Sequence, residues 1–523
     1  MKRSTYIWSL LVGCVAFATS CDLTENVQVK ADKSMIFGSK SGLELYSNSF
    51  YKALPTLKNG FMQDKMCDVG AVSNTDTFIK QGAYNTETAT SWSWGALKNV
   101  NYFIDGCNDP KYCTVEAETR DNYLGIARWF RAWFYYDKLT TYGEVPWFPN
   151  DIQSYQNDVM YKDRDSRDVI IRNLIADLDF AYEHIQATSS TGSATLTRWA
   201  AAALKSRVCL YEGTFRKYHA NDPSTGKPWT TDEAAYRRYH NLTGLEITPE
   251  ELYREAAKAA KLVIDNSGCS LNTAAGKKGA YRDLFYSETP LTQEVILAVC
   301  ANEKSGIFGE QNWWFNARSY GLCWSLVRSF VHTYLKQDGT PFTAAADYAV
   351  KSFAEEMEGR DLRLEQTVRG RNFLWDGKTA VADIKNLSLT GYQVIKYTLD
   401  ESKYDGGAKN INSIPLIRYA EVLLNYAEAK AELGEFSETV WNATIKLLRE
   451  RAGVDGTMPS AYDPYMAEYF LNTTTDMAIL EIRRERGIEL LLENCRWDDD
   501  MRWHMGDLLT SDNNPWTGIY IGS

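Results

Sequence analysis

A mainly α-helical, tetratricopeptide-like repeat scaffold is the fold class this sequence predicts, and three observations predict it. The first is the run Ile414–Gly434. In it Leu416, Ala420, Leu423, Ala427 and Ala431 recur at helical spacing, with a second stripe of Tyr419, Val422, Tyr426, Ala429 and Leu433 beside them. A helix apolar on two sides packs between neighbours, and its alanines let backbones approach closely. The second is the turn after it. Gly434 caps the helix, and a partner follows over Ser437–Arg451 with Trp441, Ile445 and Leu448 inward, which is the helix–turn–helix grammar of such repeats. The third is recurrence: Thr197–Gly213 (TRWAAAALKSRVCLYEG) and Leu252–Asn266 (LYREAAKAAKLVIDN) are alanine-rich helices of the same kind. Several such pairs argue for stacked helices rather than a globular α/β enzyme.

The other elements follow in chain order. Lys2 and Arg3, an apolar run from Tyr6 to Phe17 and the box Ala18-Thr19-Ser20-Cys21 form an export signal over residues 1–20. The apolar run is too short to span a bilayer. Small residues directly before Cys21 mark that cysteine as the site of lipid attachment; cleavage of an ordinary signal after Ser20 is the other reading. Residues 21–34 are polar and read as a tether, and 35–523 as a single domain. Helices are expected over Gly42–Tyr51 and Leu54–Lys65, then a polar loop over Val72–Ala89. The segment Gly125–Phe148 is aromatic on nearly every side and predicts a deeply packed helix, ended by Tyr142-Gly143-Glu144-Val145-Pro146. Arg167–Ile185 predicts another helix. The Pro- and Gly-bearing stretch 214–250 reads as loop, and Glu294–Leu297 as a short strand. A loop-rich insert spans about 268–410, with Pro415 in the first turn of the helix after it.

Composition excludes some functions. The formal charge of the 523 residues is −11, and it becomes more negative by two without Lys2 and Arg3. No long basic run occurs, so nucleic acid is not an expected partner. Aromatics reach 13%, with 16 Trp and 32 Tyr, side chains suited to surfaces that are half apolar and half hydrogen-bonding. No Cys-x-x-Cys pair appears and the five His are scattered, so neither a metal site nor a cofactor is expected. An exported chain can form disulfides; Cys107 with Cys113 is the nearest pair, and the connectivity stays open.

The motifs carry a resemblance. RYAEVLLNYAEAKAELG (418–434), LLRERAG (447–453) and RRERGIELLLENCRWDDDMRW (483–503) resemble the C-terminal part of the SusD/RagB family. So do, in the family's order, Trp94, Leu97, Asn101 and Ile104 of an early helix, GIARWFRAWFYYDKLTTYGEVPWF (125–148), YLKQDGT (334–340) and GRDLRLEQTV (359–368). Family members usually continue well past the run ending at Trp503, so the sequence reads as truncated at its C-terminus. The resemblance implies a SusD-like fold and a non-catalytic lipoprotein of the outer membrane, facing the exterior. It also implies a partner, a SusC-like TonB-dependent transporter that receives captured oligosaccharide. A surface peptide binder of the same fold and a helical glycoside hydrolase are the alternatives.

Residue chemistry points the same way. No nucleophile–base motif or phosphate-binding loop is present. Asp498-Asp499-Asp500 reads as a solvated turn or as pairing with Arg484 or Arg502. A sugar site asks for flat aromatic faces and polar groups on loops held by a rigid frame. Two stretches qualify: Trp313, Trp314, Asn316, Arg318 and Tyr320 in the insert, and Asn74, Asp76 and Trp92 in the early loop, with Trp94 assigned to the core. At most one of Trp313 and Trp314 is expected to face a ligand, as neighbours on a strand point opposite ways. Arg418, Glu421, Asn425 and Glu428 read as a buried hydrogen-bonded network between helices.

Overall fold

The computed structural model describes residues 33–72, 92–220, 247–316, 323–380, 387–510 and 512–522. Cys21, the export signal, Asn74, Asp76, Arg318 and Tyr320 lie outside these residues. The long helices are α1 (Lys40–Asn48), α2 (Gly95–Asn108), α3 (Ala117–Tyr142), α4 (Arg167–His184), α5 (Arg198–Tyr218), α6 (Pro249–Asn266), α7 (Tyr419–Glu432) and α8 (Met477–Glu489). They pack in series, each from α2 to α7 against its successor. Local chemistry sets their starts. Ser166 Oγ accepts from the Val169 N–H ahead of α4, and Thr248 with Glu251 makes a reciprocal capping box around Pro249 at the start of α6. Small residues set their spacing. Ala200–Ala203 of α5 and Ala256, Ala257, Ala259 and Ala260 of α6 are buried, and a Cβ on Gly213 would lie 3.1 Å from the Tyr253 ring.

Strands are short and paired in twos: β1 (Gly70–Ala71) with β3 (Ser325–Leu326), β2 (Val295–Val299) with β6 (Ile414–Arg418), and β4 (Leu374–Trp375) with β5 (Lys378–Thr379). A second apolar core lies beneath the insert, where Phe61, Phe285, Phe315, Trp324 and Tyr397 pack together, apart from the main core between the helices.

Four expectations change. The run Ile414–Gly434 is not one helix: its first five residues form β6, antiparallel to β2 with Val299 opposite Ile414 and Ala298 opposite Pro415. Proline forces the preceding Ile414 to be extended, and β2 supplies the partner that completes the ladder. The helix over Ser437–Arg451 is broken at Thr444 (φ −134°, ψ −88°), whose hydroxyl bonds back to the Val440 carbonyl at 2.6 Å. Leu54–Lys65 is a chain of turns ending in a 3-10 turn at Gln63–Met66. There Asn59 Oδ1 accepts both the N–H and the hydroxyl of Thr56, holding a turn where a helix would need both groups elsewhere. The first helix ends at Asn48 and continues as a 3-10 turn over Ser49–Ala53.

The C-terminal interior is charged. Every residue of α8 from Ala478 to Glu489 is buried. Glu481, Glu485 and Glu489 recur every fourth residue along it and meet arginines from elsewhere in the chain. Glu481 and Glu485 take Arg449; Glu485 and Glu489 take Arg363; Glu489 also takes Arg418 and Arg451. Buried charges are tolerable only when paired in this way. All four residues singled out in and beside α7 are buried. Arg418 binds Glu294, Glu489 and Glu493, and Glu421 binds Arg207. Asn425 accepts from Arg486, Arg486 holds Asp499, and Arg502 bridges Asp499 to Glu428.

Candidate functional site

The aromatic helix α3 ends at Gly143 (φ 72°), a conformation that favours glycine, and the chain doubles back as residues 144–151. Buried side chains pin this loop from below. The Tyr135 hydroxyl donates to the Pro146 carbonyl (3.2 Å) and accepts the Phe148 N–H (2.7 Å). Asn101 Nδ2 donates to the carbonyls of Phe148 (2.8 Å) and Asn150 (3.0 Å). Arg131 reaches the Pro149 carbonyl (2.9 Å) while holding Asp177 with two bonds. Asp165 accepts the Trp147 N–H (2.6 Å), and Asp105 accepts the Asp151 N–H and the Asn150 amide. Most of these bonds fix backbone groups that would otherwise be left unpaired.

Against this rigid loop opens a cleft of about 670 Å³. Trp92, Trp94 and the start of α2 line it together with Phe148, Ile152, Met160 and Tyr161. Trp92 is 43% exposed and Tyr161 80%. Trp92 is steadied edge-on by Trp94 (5.1 Å) and Tyr142 (4.9 Å), with the Arg164 guanidinium 5.5 Å from its ring centre. Trp94 is anchored against Phe134, Tyr135 and Phe148, so it serves as core and as wall at once. Lys98, Lys162, Arg164, Asn150 and Ser154 add polar groups. Sequence reading reached Trp92 but missed Tyr161, Met160, Lys98 and Arg164. The signal available was a pair of large apolar side chains, Met160 and Tyr161, in an otherwise polar stretch.

The insert presents a different surface. Gln311–Asn316 is a short helix rather than a strand. Trp313 and Trp314 therefore do not point opposite ways: their rings meet edge-on at 4.9 Å and both are partly buried. Trp314 packs on the second core. Asn316 is engaged internally, donating to Asp405 (3.2 Å) and accepting from Gln393 (3.1 Å). Beside it, the β4–β5 turn carries Trp375 and Phe373, with Arg369 over both rings.

The aspartate triplet is not a solvated turn. Asp499 pairs with Arg486 and Arg502, and Asp500 lies 3.3 Å from Arg496; Arg484 turns instead to Asp463 and Glu481. Burial pushes Asp498 up to about 7, with Asp499 adding to it, and burial does the same to Asp64. Carboxyls in that range suit general acid catalysis. Here, however, Asp64 caps the backbone N–H groups of Asn494 and Arg496, and Asp498 meets Tyr136 and Gln63, away from the cleft lining. Cys107 and Cys113 are free thiols, as are the other cysteines among the described residues. Among those residues no group of His, Cys, Asp and Glu is arranged to hold a metal, and no helix is long and apolar enough to cross a membrane.

Residues 293–521 match the SusD family model. That match covers the C-terminal part of the chain, which resembles the SusD/RagB family there. The fold of the chain agrees with solved structures along most of its length. A SusD-like protein from Bacteroides fragilis superposes with a TM-score of 0.65 at 22% identity, covering 91% of this chain and 88% of the other. A SusD-like carbohydrate binding protein from the same species gives 0.68 at 19% identity with the same coverage. A structure described with xylogluco-oligosaccharide gives 0.57 at 18% identity, covering 91% and 85%. No curated protein matches the chain. The SusD_RagB match begins just before β2 and takes in the insert, α7 and α8, whereas the Trp92 cleft belongs to the N-terminal helical part.

Proposed function

We propose that this protein is a cell-surface lipoprotein, held at the outer membrane through Cys21, that captures an oligosaccharide and hands it to a SusC-like TonB-dependent transporter. The observation that carries the binding step is the Trp92 cleft: exposed aromatic rings beside a loop fixed from below, with amide, hydroxyl and cationic groups near them. A pyranose offers an apolar C–H face to such rings and hydroxyls to the polar rim. Covering on the order of 100 Å² of apolar surface at ~25 cal/mol per Å² contributes about 2.5 kcal/mol. Rigidity lets most of that appear as affinity, since little is lost in ordering the site. The neighbour described with xylogluco-oligosaccharide and the SusD-like carbohydrate binding protein support a carbohydrate ligand. The Trp313–Trp314 surface, with Arg318 and Tyr320 next in sequence, is a second contact region.

Calorimetric titration with a panel of neutral and charged oligosaccharides tests the reading. Replacing Trp92 and Tyr161 together by Ala is expected to weaken binding by roughly tenfold or more while leaving the protein folded, because neither ring belongs to the fully buried core. Affinity unchanged in that variant but lost when Trp313, Trp314 and Tyr320 are replaced would move the site to the insert. Binding of peptides but of no sugar would overturn the ligand class, and shortened products after prolonged incubation would make the protein a hydrolase.

A further inference from the structure

Two buried carboxyls face one arginine where residues 63–71 lie against the short helix Arg496–Arg502. Asp68 and Asp500 are both enclosed, at 1% and 0% exposure. Asp68 takes the donors. Arg496 gives it two bonds (2.8 and 2.6 Å), and the Tyr469 hydroxyl gives a third (2.7 Å). Asp500 is left 3.3 Å from an Arg496 Nε already spent on Asp68. Among the described residues no N–H or O–H group bonds either of its oxygens, and no further cation reaches the pair. Asp499, the next acid on the helix, is matched by Arg486 and Arg502. Cys67 and Tyr469, which face the same carboxyls, stay neutral, because burial pushes both well above their ordinary values. Asp64 stands one turn before Asp68. Burial pushes it up to about 7 against the N–H groups it caps, with Asp499 and Asp498 adding to the effect.

Two like charges cannot both persist on one guanidinium inside a protein. We infer that Asp500 holds a proton and donates it to Asp68, and that this proton clasps residues 63–71 to the C-terminal helix until rising pH removes it. Burial gives Asp500 its direction and the Asp68 charge adds to it, so the carboxyl lies well above the usual range. At Asp68 the Arg496 guanidinium overcomes the effect of burial, and that carboxyl stays low. A junction depends on the clasp. The Asp68 carbonyl accepts the Asn514 amide (2.6 Å), which ties in residues 512–522. The Val69 carbonyl accepts the Val327 N–H (3.0 Å), and β1 follows to pair with β3. Loss of the proton sets two buried anions against one cation, and parting the two segments relieves this by returning the charges to water. The closed clasp binds a proton that the opened one has released, so opening becomes easier as pH rises from the ordinary carboxylate value to the raised one. Asp64 acts in the same direction up to about 7.

Hydrogen exchange read by mass spectrometry on the full lipid-free chain tests the clasp, at pH 6 and pH 8 with the chemical exchange rate divided out. One proton makes opening about tenfold easier per pH unit, so protection of residues 63–71 is expected to fall roughly 100-fold or more while the amides of α5 and α6 keep theirs. Asp500→Asn keeps a donor for Asp68 and has no proton to lose; its fall should be at least tenfold shallower. The wild-type infrared spectrum at pH 6 should also carry a carboxylic-acid band that weakens in the variant. A level wild-type profile overturns the proposal, as does an Asp500→Asn profile as steep as the wild type. Protection lost equally at both pH values in the variant would mean that Arg496 needs the Asp500 charge, which also overturns it. Should the variant not fold, the wild-type profile and band decide, and absence of the band at pH 6 sinks the shared proton.

Discussion

Glu428 offers the sharpest test of the charged interior. Its carboxylate, in the middle of α7, is buried and accepts Arg502 Nη1 at 2.5 Å, Arg502 Nη2 at 2.7 Å and the Trp503 indole N–H at 2.8 Å. Burial alone would push this carboxyl up; Arg502 overcomes that, with Arg486 and Trp503, and holds it at about 2 against an ordinary 4.5. A depression of that size corresponds to about 3 kcal/mol of folding stability at neutral pH. Glu428→Gln keeps the shape and an acceptor for Trp503 but removes the charge. It leaves Arg502 with Asp499 at 2.9 Å as its remaining anion. Urea unfolding followed by tryptophan fluorescence should therefore show a loss of ~3 kcal/mol, the range seen when a buried pair loses one partner. The sign with pH follows. Because the folded carboxyl titrates below the unfolded one, its contribution is complete above pH 4.5 and is withdrawn as pH falls toward 2. The gap between wild type and variant should shrink by about half from pH 7 to pH 3. A gap under about 1 kcal/mol at pH 7, or one indifferent to pH, would refute the account of α7 as a helix locked by buried charge.

Other outcomes follow from the same structure. Tyr135→Phe leaves the Phe148 N–H and Pro146 carbonyl without their partner; it should cost ~1–3 kcal/mol in the same unfolding assay and weaken any ligand of the Trp92 cleft. Gly106→Ala sets a Cβ 2.0 Å from Phe37 Cζ, so Phe37 must leave its buried seat; a loss of ~1–3 kcal/mol and faster proteolysis ahead of α1 are expected. Cys21→Ala should move the protein from the membrane to the soluble fraction, and continued membrane retention would remove the lipid anchor. A denatured, unreduced chain starting after Cys21 should titrate the thiols of Cys67, Cys107, Cys113, Cys209, Cys269, Cys300, Cys323 and Cys495; fewer would reveal a disulfide.

Much of the frame was legible because helix periodicity and turn chemistry are local. The alanine stripes of α5 and α6 and the Gly143 stop act within a few residues, and the sequence states them directly. The strand β6 was not legible, because Ile414–Arg418 fits a helical period and becomes extended through pairing with β2, far back in the chain. Likewise no local pattern in RRERGIE of α8 announces its burial, which depends on Arg363, Arg418, Arg449 and Arg451 arriving from other segments. For the Asp498–Asp500 triplet the sequence offered pairing with Arg502, which Asp499 makes, but not the pairing with Arg486 and Arg496 from the same charged interior.

By itself the sequence determined that the long helices form and that aromatic loops decorate them, since propensity and amphipathic period are properties of neighbouring residues. Tertiary structure alone decided which of those aromatics share a cleft and which charges face it. Trp92, Lys98, Phe148 and Tyr161 converge only after Tyr135, Asn101 and Arg131 have fixed the loop between them. The physical reason is that convergence depends on contacts between segments far apart in the chain, which no local pattern encodes.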